Sequence, residues 1–307
     1  MRSAVILLSI FVSALVPSTG FAKQQKISVV TSLFPLYEFA REVGGEAVNA
    51  ELLLPPGTEP HTWEPRPSDI IRIGRSDIFI YMGPEMEPWV SDILGAVTND
   101  SLLVIAVLEE LENIQSGKER KGQEDPDNVD EHNDPHVWLD LSYAVKIVDL
   151  ITETLKAAHA QKGDLFSKNS NRYKDLLRDL DSRFFSQLSA CRRKKFIYGG
   201  HSAFGHLARR YGLIQVPVYG ISPDSEPSPR QIAEIVRTIR RNGIGVVYFE
   251  ELVNPRLAQV IAEETRTTTL VLNPGGNLTT TLWKKGVTFI SLMEDNLINL
   301  KKGLECE

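Results

Sequence analysis

The sequence predicts an α/β protein whose two lobes, each built on a mainly parallel sheet, are joined by one long connecting helix. Short runs rich in β-branched residues alternate with amphipathic helical segments, which is the pattern of βα units. This alternation stops at one long helical pattern, from Leu165 to Cys191, and then restarts. At roughly 1.5 Å per residue that helix would be about 40 Å long, which is enough to span two lobes. We therefore expect a ligand cleft where the lobes meet.

Length, charge and hydropathy limit the class of protein. A chain of 307 residues fits one large domain or two of medium size. The net charge of −6 argues against a nucleic-acid-binding protein, which usually carries a basic face. Arg2, an apolar stretch from Ala4 to Val16 and small residues before Lys23 predict a signal peptide over residues 1–22. No later stretch approaches about eighteen uninterrupted apolar residues, so we expect an exported, soluble protein.

The N-terminal lobe is predicted over residues 23–163. Its strands are predicted from β-branched and apolar runs, and its helices from apolar residues spaced three and four apart. The predicted strands are Ile27–Thr31, Ala50–Leu54, Asp77–Met82 and Leu102–Val107. The predicted helices are Pro35–Val43, Ser68–Gly74 with Ser68 as its cap, and Ser142–His159.

Within this lobe the composition changes over residues 109–134. The segment holds ten acidic and three basic residues and has no sustained apolar period. Such a segment cannot bury enough apolar surface to order itself, so we expect a mobile acidic loop.

The connecting helix is predicted over residues 164–193 and the C-terminal lobe over residues 194–307. Ser228, Pro229 and Gln231 are typical of a helix start, with a capping serine, a proline at the first position and a glutamine at the third. The predicted strands are Lys195–Tyr198, Ile214–Tyr219, Gly245–Phe249 and Thr269–Leu272. The other predicted helices are Ser202–Tyr211 and one that opens at Asn254, and the segment Leu282–Lys302 is predicted to be mostly helical.

Cys191 and Cys306 are the only cysteines. In an oxidising compartment they could form one disulfide that ties the C-terminus to the rest of the chain. Two unpaired thiols are equally compatible with the sequence.

Three histidines are candidate metal ligands: His61, His136 and His201. Neutral imidazole is the commonest nitrogen ligand of zinc, and three imidazoles with an open fourth position form a known zinc site. Each histidine follows a strand-like segment or opens a helix, and open α/β sheets bind ligands at the carboxyl ends of their strands. Their spacing matches no local metal motif, so the spacing alone also permits ordinary structural histidines.

The remaining histidines are weaker candidates. His159 lies off the apolar stripe of its helix and is expected to be solvated. His206 is five residues after His201, so the two cannot chelate from one helix face. His132 lies in the acidic loop, where it could catch a metal transiently or simply be solvated.

Several blocks of sequence resemble the zinc-uptake ABC-transporter substrate-binding proteins of the ZnuA type. The blocks are Glu59–Asp69, Gly83–Glu87, Asp134–Asp140, His201–Leu213, Gly220–Pro229 and Val246–Glu250. They cover nearly the whole mature chain in the order typical of that family. The resemblance implies two α/β lobes with a metal ion between them, and it carries the ligand role onto His61, His136 and His201.

The resemblance also implies a function and a partner. Histidine at the third ligand position is similar to zinc-type members, since manganese-type members tend to have a harder carboxylate ligand there. The implied protein is a periplasmic monomer that binds Zn²⁺ as its transported ligand and delivers it to an ABC-transporter permease in the inner membrane.

The chain departs from the family pattern at the fourth ligand. Many relatives have an aspartate where this chain has Asn273, and others have a glutamate where it has Gly276. A shell of neutral histidines leaves the charge of the dication uncompensated nearby, which should lower the affinity. Water is the expected fourth ligand, ahead of Glu59 and then Asn273. Glu250 either orients a histidine or forms an ordinary salt bridge.

Two other functions stay open. The same fold could bind Mn²⁺ or Fe²⁺ instead of Zn²⁺. A secreted zinc hydrolase would also use three histidines and a metal-bound water, but it needs a placed general base such as that of an HExxH helix. The sequence has no such motif, so we expect a binding protein and not an enzyme.

Overall fold

The computed structural model describes residues 26–116, 134–221 and 227–307. In these ranges eight strands form two sheets of four. The strands are β1 (Ile27–Thr31), β2 (Val48–Leu52), β3 (Ile78–Tyr81), β4 (Leu103–Ala106), β5 (Lys195–Tyr198), β6 (Ile214–Pro217), β7 (Val246–Phe249) and β8 (Thr268–Val271). Every pairing within the two sheets is parallel, as predicted.

The two sheets have the same strand order, which creates two equivalent crevices. The N-terminal sheet runs β2-β1-β3-β4 and the C-terminal sheet runs β6-β5-β7-β8. In each sheet the direction of winding reverses beside the first strand, between β1 and β3 and between β5 and β7. Open α/β sheets bind ligands at the carboxyl ends of the strands that flank such a reversal.

Helices cover both sheets and connect the lobes. The helices of the described chain are α1 (Phe34–Gly44), α2 (Pro67–Arg75), α3 (Val90–Leu94), α4 (Val107–Ser116), α5 (Leu141–Ala158), α6 (Gly163–Ser189), α7 (Gly205–Arg210), α8 (Pro229–Asn242), α9 (Arg256–Thr265), α10 (Thr280–Lys284) and α11 (Phe289–Gly303). None of them combines the length and apolar character needed to cross a bilayer.

The long helix α6 holds the lobes together. Its buried side chains recur along one face and include Tyr173, Leu177, Leu180, Phe184 and Leu188. This face packs against α1 and α5 from the N-terminal lobe and against α11 from the C-terminal lobe. Residues of both lobes therefore belong to one hydrophobic cluster, and the prediction of two lobes joined by a long helix is confirmed.

A disulfide between Cys191 and Cys306 anchors the C-terminus just beyond the end of α6. The same two residues form an isolated antiparallel bridge. The side chains of Arg192 and Arg193 both bind the carboxylate of Glu305 beside it. Of the two alternatives that the sequence leaves open, the structure contains the disulfide.

Several predicted features of the N-terminal lobe are wrong in detail. Ser68 does not cap its helix, because α2 begins at Pro67, whose fixed φ suits the first helical position, and Asp69 accepts a hydrogen bond from the Arg66 amide at 2.8 Å. The predicted mobile loop over residues 109–134 is wrong at both ends. Its first part belongs to α4, which buries Leu111. At the other end, the largely buried side chain of Asp134 pairs with His136. Residues 117–133 lie outside the described residues, as do residues 1–25 with the predicted signal peptide.

The long helix and the C-terminal lobe also differ in detail from the predictions. Helix α6 ends at Ser189, two residues before the predicted Cys191. The segment Leu282–Lys302 is mostly helical, as predicted, but it belongs to two helices, since the chain turns between α10 and α11 at Gly286, whose φ is 69°. The predicted cap of α8 is confirmed, with the Ser228 side chain accepting from the Gln231 amide and Gly243 left-handed at the end.

Removal of the disulfide tests its contribution to stability. Replacing both cysteines by serine removes a covalent link between residues that are 115 apart in the sequence. We expect the free energy of unfolding to fall by about 2–5 kcal/mol, because the unfolded chain regains conformational freedom. Denaturant unfolding of the oxidised protein and the double variant measures the difference. Equal unfolding midpoints for the two proteins would contradict the expectation.

Candidate metal centre

A small cavity lies between the lobes and contains all three predicted histidines. His61 lies in a 3-10 turn, Pro60–Thr62, on the loop that follows β2. His136 immediately precedes a second 3-10 turn that leads into α5, and His201 follows β5. The cavity is lined by Glu59, Pro60, His61, Met86, His136, Trp138, His201, Glu250, Leu252, Pro274, Gly276 and Asn277.

The three imidazoles converge through their Nε2 atoms. The Nε2 of His136 is 3.2 Å from that of His61 and 3.0 Å from that of His201. One ligand atom from each of the three rings lies within 4.8 Å of those of the other two. Nitrogens that share one tetrahedral zinc ion at roughly 2.0–2.1 Å would be about 3.3 Å apart. The rings thus already stand close to the spacing that a single small cation requires.

Buried carboxylates fix the tautomer of two of the rings. Asp134 Oδ1 accepts from both the backbone amide and the Nδ1 of His136, at 3.0 and 2.8 Å. Glu250 Oε1 accepts in the same way from His201, at 3.0 and 2.9 Å. A carboxylate can only accept, so in both rings the hydrogen sits on Nδ1 and the neutral ring has a bare Nε2. Carboxylates placed behind metal-binding histidines act in this way in metal sites.

The backbone makes room for these carboxylates. A Cβ on Gly200 would collide with the Glu250 carboxylate, and a Cβ on Gly205 would lie 2.8 Å from Asp134 Oδ2. Glycine at these two positions lets each carboxylate approach the chain closely. Residue 250 follows β7 and His201 follows β5, so this pair stands at the reversal point of the C-terminal sheet.

The fixed tautomers leave two electron pairs facing each other. With neutral rings, the bare Nε2 atoms of His136 and His201 stand 3.0 Å apart and neither has a hydrogen to offer the other. His136 is 1% and His201 3% exposed, so water cannot freely separate them. A proton or a metal cation between the rings removes this repulsion. The arrangement therefore favours a positive charge at the centre of the cluster.

The pKa values agree with competition between a proton and a cation. Burial, with the neighbouring imidazoles, lowers the pKa of His61 to about 2. Burial also lowers the pKa of His136, although Asp134 opposes the shift. For His201 the opposing effect of burial is outweighed by the Glu250 carboxylate, and the pKa is raised. Of the three rings, His201 is thus the one that takes up a second proton most readily.

Asp134 is a partner of the histidine cluster that the sequence analysis did not predict. Burial opposes its ionisation, but its hydrogen bond and attraction to His136 outweigh burial and lower its pKa. His206, from α7, donates from Nε2 to the Asp134 backbone carbonyl at 3.0 Å. The available signal was an acidic residue two positions before a candidate ligand, within a block that resembles a known ligand block.

The candidates for a fourth ligand differ in their surroundings. Glu59 lines the cavity, and its Oε2 accepts from the Thr62 amide at 3.0 Å while its buried Oε1 has no hydrogen-bond partner. Burial raises the pKa of Glu59 to about 7. Asn273 is already engaged, since its Oδ1 accepts from the Gly275 amide at 2.8 Å and its Nδ2 contacts Glu251.

The missing acid at Gly276 has a steric counterpart. Gly276 lines the cavity, but a Cβ there would lie 3.2 Å from Pro60 Cγ. Pro60 stands between Glu59 and His61 in the sequence and fills the space beside this glycine. A side chain at residue 276 would therefore be in tight contact with Pro60.

His159 and His206, the other histidines of the described residues, lie outside the cluster. His159 Nδ1 contacts Gln161 Oε1 at 2.7 Å, at the end of α5. His206 does not join His201 in a chelate, as expected, but supports Asp134 instead. His132 lies outside the described residues.

A comparison with protein families decides the relationship. The sequence model of the ZnuA family, described as zinc-uptake complex component A, periplasmic, matches residues 29–303. The chain belongs to this family. The resemblance drawn from the sequence blocks is therefore confirmed.

Named relatives and solved structures agree. The zinc-binding lipoprotein AdcA of Streptococcus pneumoniae is 37% identical over 92% of this chain, and the match spans 56% of the length of AdcA. The high-affinity zinc uptake system protein ZnuA of Bacillus subtilis is 34% identical over 92% of this chain and 89% of its own length. The structure of the Zn(II)-bound ZnuA-like domain of S. pneumoniae AdcA superposes with a TM-score of 0.76 and 36% identity, covering 92% of this chain and 100% of that domain.

The raised pKa of His201 predicts how metal binding depends on pH. Below that pKa, His201 carries a second proton on Nε2, the nitrogen that would face a metal in the cluster, whereas above it this nitrogen is bare. Metal affinity should therefore be full at high pH and fall from pH 7 towards pH 5, by up to about tenfold per pH unit for one displaced proton. Calorimetric titration with zinc across this range measures the slope. An affinity that is flat over the range would contradict a histidine site.

Proposed function

We propose that this protein captures Zn²⁺ in the cleft between its lobes, through the Nε2 atoms of His61, His136 and His201, and delivers the ion to an ABC importer. The observation that carries the proposal is the convergence of three ring nitrogens, with two of them held bare by buried carboxylates. Desolvated imidazoles that face one another are costly to maintain, and a bound cation removes that cost. The names of the relatives, which are zinc-binding or zinc-uptake proteins, support the same choice.

The donor set favours zinc over harder divalent ions. Imidazole nitrogen suits Zn²⁺, whereas Mn²⁺ and Mg²⁺ prefer carboxylate, carbonyl and water oxygens. Three nitrogens and at most one carboxylate therefore match a tetrahedral zinc site. Mn²⁺ and Fe²⁺ are the alternatives that a direct titration must exclude.

We propose Glu59 for the fourth position, in place of the water that the sequence analysis favoured, and water stays the alternative. Its Oε1 is buried without a hydrogen-bond partner, which costs free energy unless something else binds it. Glu59 is not in the group of ligand atoms within 4.8 Å of one another, so its carboxylate would have to turn towards the ion. A carboxylate would supply the negative charge that three neutral imidazoles lack. The stiff loop around Pro60 brings Glu59 to the cavity edge beside His61.

Transport, rather than catalysis, fits the site. The family is one of solute-binding transport components. A hydrolase would need a placed general base and space for a substrate beside the metal, and the cavity between the lobes is small. We propose an exported protein with a signal peptide over residues 1–22, lobes over residues 23–163 and 194–307 and a connecting helix over residues 164–193. It would work in the periplasm as a monomer, with an inner-membrane permease as its partner.

Titration of the metal-free protein tests the site and the choice of metal. We expect zinc to bind more tightly than manganese or iron(II). A His136→Ala variant should lose at least about 100-fold in zinc affinity, because losing a ligand should cost more than the 10–100-fold typical of its supporting partners. His159→Ala is the matched control, since His159 lies outside the cluster and its loss should leave zinc affinity unchanged. Unchanged zinc affinity in His136→Ala would sink the ligand assignment.

Glu59 can be tested by removing its charge without changing its shape. In Glu59→Gln the side chain keeps an oxygen but cannot supply a negative charge to the ion. We expect zinc affinity at pH 8 to fall by roughly 10–100-fold if Glu59 is the fourth ligand, and the loss to shrink at pH 6, where Glu59 itself becomes protonated. Equal affinities of the variant and the wild type at pH 8 would assign the fourth position to water. Glu64→Gln, in the same loop, is the control.

A further inference from the structure

Asn277 is a buried amide that joins the two lobes beside the metal centre. It is 1% exposed and lies between β8 and α10 in the C-terminal lobe. Its Nδ2 donates to the backbone carbonyls of Pro55 and Thr58, each at 2.8 Å, and these belong to the loop that carries His61. Its Oδ1 accepts from the Leu278 amide at 2.8 Å. Asn277 thus donates both of its side-chain amide hydrogens to the N-terminal lobe.

Neighbouring bonds extend this contact into a clasp, by which we mean residues 276–280 bound to the N-terminal lobe. The Gly57 amide donates to the Leu278 carbonyl at 2.8 Å, and the Thr280 hydroxyl donates to the Pro56 carbonyl at 3.2 Å. The Phe34 amide donates to the Gly276 carbonyl at 3.0 Å. Gly57 has a φ of 92°, a conformation that suits glycine, and the clasp binds it in that conformation.

His61 depends on its loop more than the other two rings do. His136 and His201 are each held by a carboxylate on Nδ1. In the described part of the chain no carboxylate forms an ion pair with His61. Its position is therefore set by the backbone of residues 55–62, which the prolines stiffen and the clasp fixes in place.

We propose that Asn277 is a positioning residue of the metal site, which holds His61 for zinc as Asp134 and Glu250 hold the other two rings. The inference rests on the proposed zinc site. The loop after β8 carries no acid at residues 273 and 276 in this chain. It binds the loop that carries His61 instead, and the proposal gives this contact a role. Because the clasp uses bonds within the protein alone, the His61 loop is ordered before the metal arrives.

The test compares two asparagines that differ in what they hold. In Asn277→Ala the carbonyls of Pro55 and Thr58 lose the hydrogen bonds from the Asn277 amide. We expect zinc affinity to fall about tenfold, in the range seen for supporting partners of metal ligands. Asn296→Ala is the matched control. Asn296 is 2% exposed and also makes two hydrogen bonds to backbone groups, but both are to Asn273 within the C-terminal lobe. It should lower thermal stability with less than about threefold loss of zinc affinity.

A double-mutant cycle separates positioning from a general loss of stability. If Asn277 acts through His61, then Asn277→Ala should cost about tenfold in the wild-type background and less than about twofold in the His61→Ala background. Equal losses in the two backgrounds would overturn the proposal. So would a wild-type affinity for zinc in Asn277→Ala. A wild-type protein that does not bind zinc at all would overturn the proposed function, and this role with it.

The wild-type protein offers a measurement that needs no variant. Amide hydrogen exchange of the metal-free protein should show the Gly57 amide protected, because the Leu278 carbonyl accepts from it in the absence of metal. Protection that develops only after zinc is added would show that the loop is ordered by the metal, and would overturn the proposal even if Asn277→Ala fails to fold.

Discussion

Two buried hydrogen bonds, from His136 to Asp134 and from His201 to Glu250, decide what the cleft between the lobes can hold. Each places the ring hydrogen on Nδ1 and turns a bare Nε2 towards the other ring. The two nitrogens stand 3.0 Å apart in a buried site, where their electron pairs repel unless a positive charge lies between them. The rest of the molecule can be understood as a frame that keeps this arrangement in place.

The arrangement is possible because the fold brings loops from both lobes to one cleft. His201 and Glu250 follow adjacent strands at the reversal point of the C-terminal sheet, where the carboxyl ends leave a crevice. His61 and His136 come from the N-terminal lobe, so the cluster closes only if the lobes keep their relative position. Helix α6, which packs on helices of both lobes, and the clasp around Asn277 both hold that position.

Much of the fold follows from local patterns in the sequence. Strands such as Ile27–Thr31 and Lys195–Tyr198 are predicted with correct bounds, because their apolar runs are short and end at clear turn signals. The capping box at Ser228 is also predictable, since its partners are three residues apart. The prediction of a mobile loop is wrong at the start of the acidic segment, because α4 continues into it. Leu111 is buried there, and one buried residue gives too weak an apolar period to predict a helix.

The site is less predictable than the fold, because its contacts join residues far apart in sequence. The three histidines were found through blocks that resemble a known family, and their spacing alone did not distinguish them from structural histidines. The contacts of Asp134 and Asn277 cannot be predicted from the sequence, because they depend on which groups the folded chain brings to these two side chains. The anomalous signal of zinc in a crystal of the loaded protein tests the central claim most directly. We expect one peak at about 2.0–2.1 Å from the Nε2 atoms of all three histidines. A peak bound through Nδ1 of His136 or His201, or one outside the cleft, would contradict it.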